Sequence, residues 1–185
     1  MSEIGGRSFF AATETTAAAA GTNKPTGDLK NMDHLEWTKD LNTGVNVIDK
    51  QHRRIVDYIN QLVDATETGD YESISDVFDG LIDYTITHFT FEEGLQEKAG
   101  YEFRSAHQRV HKVFIKKLGE YKKDFDDGNV DAVKQVNRML RNWLINHIKN
   151  DDADYVPAVQ KMLGTEKKSG WLSRSLGRFF GGSDA

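Results

Sequence analysis

The sequence predicts an all-α protein, an up-down-up-down four-helix bundle. Three observations carry this reading. Apolar residues recur at three- and four-residue steps in four separate segments. The segments are joined by short Gly- and Asp-marked connections, which imply antiparallel neighbours. The only two prolines, Pro25 and Pro157, bracket the part expected to fold, and strand signals between them are few.

The first helix carries the stripe Ile48, His52, Ile55, Ile59, Leu62 and Thr66. Gly69 ends it and Asp70 can cap the next. The second carries Ile74, Val77, Leu81, Thr85, His88, Glu92 and Leu95, and ends near Gly100. The third carries His107, His111, Phe114, Leu118, Tyr121 and Phe125, and ends at Asp127-Gly128. The fourth carries Val133, Val136, Leu140, Trp143 and His147. No solenoid-type repeat is present. The bundle is expected over residues 34–163. Residues 1–33 are rich in Ala, Thr and Gly without an apolar period, so they read as a disordered arm. Residues 164–185 read as a tethered, cationic amphipathic tail.

Composition narrows the function. The 185 residues suffice for one domain with a sizeable core. A net charge of -5 argues against a general nucleic-acid binder, and no nucleic-acid partner is expected. With no cysteine, thiolate zinc sites, iron–sulfur clusters and cysteine nucleophiles are excluded. The absence of cysteine fits a reducing, cytoplasmic setting. No run approaches a membrane span, and the first 21 residues do not read as a secretory signal.

Five of the six histidines fall on the apolar stripes, accompanied by carboxylates: His52; His88 with Glu92; His107 and His111; His147 with Asp152. Residues four apart on a helix lie about 40° apart around its axis, one turn above each other. Each pair alone is weak, because a hydrogen-bonded core histidine has the same pattern. Together they change the odds. An antiparallel bundle brings His52, early in the first helix, level with His88 and Glu92, late in the second. It brings His107 and His111, early in the third, and His147, late in the fourth, to that same level. Five unliganded imidazoles there would need many internal partners, whereas a metal satisfies them at once. Five nitrogens and two carboxylates suit iron or another first-row metal, not magnesium or calcium. Seven donors are too many for one tetrahedral zinc, and two metals sharing bridging carboxylates account for them all. Glu93 and Asp151 adjoin the proposed bridges. Spacing favours Glu92 over Glu93, but for the aspartate a regular helix favours Asp151 over Asp152.

From Trp37 to about residue 156 the chain resembles the hemerythrin family, in particular its single-domain bacterial members. The resemblance rests on the run Leu41-Asn42-Thr43-Gly44-Val45-Asn46-Val47-Ile48-Asp49-Lys50-Gln51-His52, then His88-Phe89-Thr90-Phe91-Glu92-Glu93. Gly100-Tyr101 leads to His107-Gln108-Arg109-Val110-His111, and Trp143-Leu144-Ile145-Asn146-His147 closes it, with Asp152 and Tyr155 at the family's offsets. The resemblance implies a non-haem di-iron site of two Fe ions, as Fe2+ or Fe3+, with an oxo or hydroxo bridge. It implies that His107, His111 and His147 saturate one iron, while His52 and His88 hold the other with a position left open. Glu92 and Asp152 would bridge; the family offset thus selects Asp152 and implies that the helix ends or distorts there.

The function this implies is reversible dioxygen binding for storage, delivery or scavenging: an oxygen carrier, not an enzyme, with side oxidase or peroxidase activity left open. The alternatives are an oxygen or redox sensor, and a di-iron enzyme reducing peroxide or nitric oxide. Ferritin-like oxidases use more glutamates and a Glu-x-x-His pattern that forms no part of this site. Trp37 and Trp143 read as core residues, His34 as an exposed or packing histidine, and Tyr155 as packing near the site. Ile48, Ile55 and Phe89 are expected to wall the pocket at the open position. In the tail, Leu172, Leu176, Phe179 and Phe180 share one arc opposite Arg174 and Arg178, with Trp171 on the flank. With Lys167 and Lys168 nearby, this suits a peripheral anchor on the inner membrane face or a dock for an oxygen-consuming protein, the alternative being a helix folded back onto its own bundle.

Overall fold

A computed structural model describes residues 32–165, together with Gly177 and Arg178. The expected arm over residues 1–33 and the amphipathic arc of the tail lie almost wholly outside the described residues.

After a 3-10 turn at Lys39–Leu41, the chain forms α1 (Asn46–Thr68), α2 (Tyr71–Ala99), α3 (Arg104–Asp126) and α4 (Asp131–Asn146). A π-helical segment (His147–Asp152) then leads directly into α5 (Ala153–Thr165). The last three form one rod, the fourth column of a four-helix bundle. Contacts run α1 to α2, α2 to α3, α3 to α4 and α4 back to α1, while α5 continues along α2. That is the cyclic order of an up-down-up-down bundle.

The helix boundaries have local causes. Asp70 accepts a hydrogen bond from the Glu72 N–H and caps α2. Gly100 ends α2 in the left-handed region at φ 65°, where its N–H reaches back to the last carbonyls of the helix. Ahead of α1, Gly44 takes φ 82°, and its backbone N–H and that of Thr43 both donate to the buried Asp49 carboxylate. The Thr43 hydroxyl donates to it as well. The run from Thr43 to Asp49 is thus a self-contained lock that starts α1 at Asn46, six residues before His52.

The apolar interior has two parts. The larger includes Ile55, Ile59, Leu62, Phe78, Leu81, Phe114, Leu118, Val136 and Leu140. The smaller, at the other end, joins Val45, Ile48, Phe91, Leu95, Tyr155 and Val159. Each fully buried leucine or isoleucine here contributes about 1.5–3 kcal/mol by leaving water. Between the two parts lies a polar layer. His52 sits between Ile48 and Ile55 along α1. His88 and Glu92 are set among Phe89, Phe91 and Leu95 of α2. All three polar side chains are fully buried.

Two expectations need correction. Val77 was placed on the α2 stripe, but Phe78 is the fully buried residue there and Val77 only flanks the core. Both fit a three/four spacing between Ile74 and Leu81, and the larger ring takes the interior. Pro157 was read as the far bracket of the folded part, yet it lies inside α5. Its missing N–H would have faced Ala153, where the widened π-helical turn joins α5, so the proline sits beside a helix that is already irregular.

Candidate metal centre

All seven residues singled out from the sequence converge in the polar layer. His52, His88, Glu92 and Asp152 are fully buried, and His107, His111 and His147 nearly so. Two groups share Glu92: His52 and His88 with Glu92, and His107, His111 and His147 with Glu92. Within each group one possible ligand atom per residue lies within 4.8 Å of the others.

The carboxylates span the two groups. Glu92 turns Oε2 toward His88 Nε2 (3.3 Å) and Oε1 toward His107 Nε2 (2.7 Å) and His111 Nε2 (3.9 Å). Asp152 turns Oδ2 toward His52 Nε2 (3.2 Å) and Oδ1 toward His147 Nε2 (3.1 Å) and His107 Nε2 (3.5 Å). Each acid therefore offers one oxygen to each side.

The π-helical segment explains how Asp152 gets there. In a regular α-helix the residue four after His147 shares its face, which favours Asp151. Over His147–Asp152 the i to i+5 winding brings Asp152 inward with His147. Asp151 remains within reach of the other ring nitrogen, and His147 Nδ1 donates to its Oδ2 at 2.8 Å. Glu93 plays the equivalent part on α2, accepting from His111 Nδ1 at 2.9 Å and from Gln108 Nε2 at 2.8 Å. Gln51 stands behind His88, with Oε1 2.9 Å from His88 Nδ1, and Gln96 donates to Glu92 Oε1 at 2.8 Å. These supporting residues were not assigned this role from the sequence. The signal was present: Gln51, Glu93 and Asp151 each adjoin one of the seven residues in the chain, and each is polar beside a buried stripe.

The hydrogen bonds fix the ring tautomers. An ionised carboxylate can only accept, so His111 and His147 carry their protons on Nδ1. Their Nε2 atoms then face each other as bare lone pairs, 3.0 Å apart. His52 Nε2, His88 Nε2, His107 Nε2, Glu92 Oε2 and both Asp152 oxygens are buried without a hydrogen-bond partner. So many lone pairs aimed into one gap are costly unless a cation lies between them. A donor set of five nitrogens and two carboxylates fits first-row transition metals.

Electrostatics agree with that fit. Burial, reinforced by His52, holds His88 well below the ordinary imidazole value. Burial takes His107 down to about 4 and lowers His111, so these rings are neutral donors near pH 7. Burial and then the Asp152 charge raise Glu92 well above the carboxylate range. Burial also raises Asp152, but His147, His52 and His107 outweigh it and hold its carboxyl low. For Glu93, burial is outweighed by the hydrogen bonds from His111 and Gln108, and its carboxyl is lowered. The hydrogen bond from His147 lowers Asp151.

Aromatic rings clamp the imidazoles. Phe89 stacks on His111 at 3.6 Å between centroids, and Trp143 stacks on His147 at 4.1 Å and on Phe114 at 3.8 Å. Trp143 is thus a half-buried packing residue whose ring bears directly on the site. Phe89 was expected to wall the two-histidine side. Its closest stacking is instead with His111, and its ring stands 5.5 Å from His88. Trp37 packs on the main core, 6.3 Å from His52, and donates from Nε1 to Asn42. Tyr155 packs against His107, its hydroxyl buried without a partner. His34 is exposed and bonds Asp64 at 2.7 Å. Among the described residues no helix is long and apolar enough to cross a membrane.

Comparison with known proteins agrees with this geometry. The hemerythrin HHE cation binding domain model matches residues 43–159. The chain is 47% identical over 154 residues to a bacteriohemerythrin of Pseudomonas aeruginosa (strain LESB58), covering 81% of this chain and all of that one. It is 31% identical over 120 residues to myohemerythrin-1 of Phascolopsis gouldii, covering 64% of this chain and 89% of that one. A crystal structure of wild-type hemerythrin superposes with a TM-score of 0.64 at 34% identity, covering 69% of this chain and 98% of that one. With a four-helix bundle, a buried cluster of histidine and carboxylate donors, and a family match across most of its folded length, the chain belongs to the hemerythrin family.

Proposed function

We propose that this chain binds dioxygen reversibly at a non-haem di-iron centre, as a carrier for storage, delivery or scavenging. His107, His111 and His147 would hold one iron and His52 and His88 the other, with Glu92 and Asp152 shared between them and an oxo or hydroxo group completing the cluster. The observation that carries this reading is the division of both carboxylates, one oxygen to each histidine group. When bound, two ferrous ions supply the electrons that dioxygen accepts and returns.

The protein's part is positional. One side offers three nitrogens and two carboxylate oxygens, the other two nitrogens and two oxygens, so the His52–His88 side is one donor short. That is where a small exogenous ligand fits. Ile48 and Ile55, one turn before and after His52, are buried and keep water from that side. Metal-bound imidazoles are neutral, so the negative charge facing the cations would come from Glu92 and Asp152, with Glu93 and Asp151 behind the rings. The bundle that does this spans residues 34–163. For the tail we propose a peripheral anchor at the cytoplasmic face of the membrane, tested by sedimentation on anionic vesicles of the whole chain and of a chain ending at Gly164. Equal binding by both chains, or binding by neither, would remove it.

The test of the carrier reading is the optical spectrum of the iron-loaded protein through cycles of air and deoxygenation. A carrier gives a coloured oxygenated form that bleaches and returns. Rapid, irreversible oxidation with turnover of peroxide or nitric oxide would instead favour the enzyme alternative.

A further inference from the structure

The two halves of the cluster stand on different supports. On the three-histidine side, His111 donates from Nδ1 to Glu93 and His147 donates from Nδ1 to Asp151. Both acceptors are carboxylates at the edge of the bundle, with side chains 23% and 42% exposed. On the two-histidine side, His88 Nδ1 meets the uncharged amide oxygen of Gln51, and His52 Nδ1 is buried without a partner. A carboxylate behind an imidazole fixes its orientation, raises its basicity and adds negative charge to the site; an amide fixes the orientation without the charge.

We propose that Glu93 and Asp151 are positioning residues that set the order of metal loading, so that the His107–His111–His147 subsite takes the first cation and the Gln51-backed subsite the second. This rests on the binuclear reading above. The extra nitrogen favours the same order, so the contribution of the two acids must be separated from donor count. Glu93→Gln and Asp151→Asn do so, because each keeps an acceptor for the imidazole and removes only the charge. Gln51→Glu is the converse, placing a charge behind His88.

The experiment is an anaerobic titration of metal-free full chain with Co2+, followed by calorimetry and by proton NMR of the paramagnetically shifted, exchangeable imidazole N–H signals. Far-UV circular dichroism checks that each metal-free variant is folded. The unaltered chain should bind in two steps, with only the three-histidine group shifted at one equivalent. In the Glu93→Gln/Asp151→Asn chain the first step should weaken about 10–100-fold while the second changes less, so that the steps converge. Gln51→Glu should tighten the second step. An unaltered gap between the steps in the double variant would overturn the proposal, as would equal shifting of both histidine groups at one equivalent in the unaltered chain. A merely structural role for the acids would weaken both steps alike, which also overturns it. Binding that stops at one equivalent is a different failure, that of the binuclear reading itself.

Discussion

Two acidic pairs, Glu92-Glu93 and Asp151-Asp152, show how finely single positions divide the work. In each pair one side chain enters the cluster and its neighbour holds a histidine from outside. From sequence these pairs read as alternatives for one role, because periodicity assigns faces and not partners. The structure gives both members a role. The consequences differ in size. Asp152→Asn neutralises a buried carboxylate that spans the two histidine groups and should lower the metal-to-protein ratio from about two toward one, read by elemental analysis. Asp151→Asn should leave the ratio intact and weaken affinity only. His107→Ala should lose metal and stability together, because a buried ring gives way to a cavity and the cluster loses a donor. An unchanged thermal midpoint and metal content in His107→Ala would contradict its place in the cluster.

At the scale of elements, the four stripes, the Gly69, Gly100 and Asp70 boundaries and the five inward histidines were legible in the sequence, because burial imposes the helical period on them. The π-helical segment was not. It adds no apolar signal, and its one-residue offset looks like a conflict between Asp151 and Asp152 until the winding is seen. The family offset chose Asp152, and the distortion it implied is there, but the helix does not stop: it runs on through Pro157 to Thr165. Pro157 misled as a boundary because a proline beside a π turn costs less than one in a regular helix. The turn at Gly100 separates fold from site. Gly100→Ala forces a Cβ into the left-handed region and should cost about 1–2 kcal/mol in chemical denaturation. It should leave metal stoichiometry unchanged, since no donor moves; a loss of one metal would show that this turn sets the α2–α3 register at the cluster.

For the molecule as a whole, the polar layer divides the core and makes the metal-free state sensitive to acid. His88, His107 and His111 have lowered values in the fold, so between about pH 4 and the ordinary imidazole value of 6.5 the unfolded chain binds protons that the folded chain refuses. Stability of the metal-free protein therefore falls as pH drops through that window. Glu92, raised in the fold, acts in the opposite sense above its ordinary 4.5, but it is one group against three. Urea unfolding of chelated protein should show a lower midpoint at pH 5 than at pH 7, and a midpoint that rises on acidification would contradict the neutral-imidazole layer. Metal loading should reduce this dependence and release protons, because a cation beside Glu92 would favour its ionised form.

Reversible dioxygen binding as proposed requires one buried layer to hold two metal ions between two carboxylates. The most direct measurement is the iron content of folded, fully iron-loaded full chain against its protein concentration. The seven-donor cluster predicts about two irons per chain. A saturating value of one iron per correctly folded chain would contradict it.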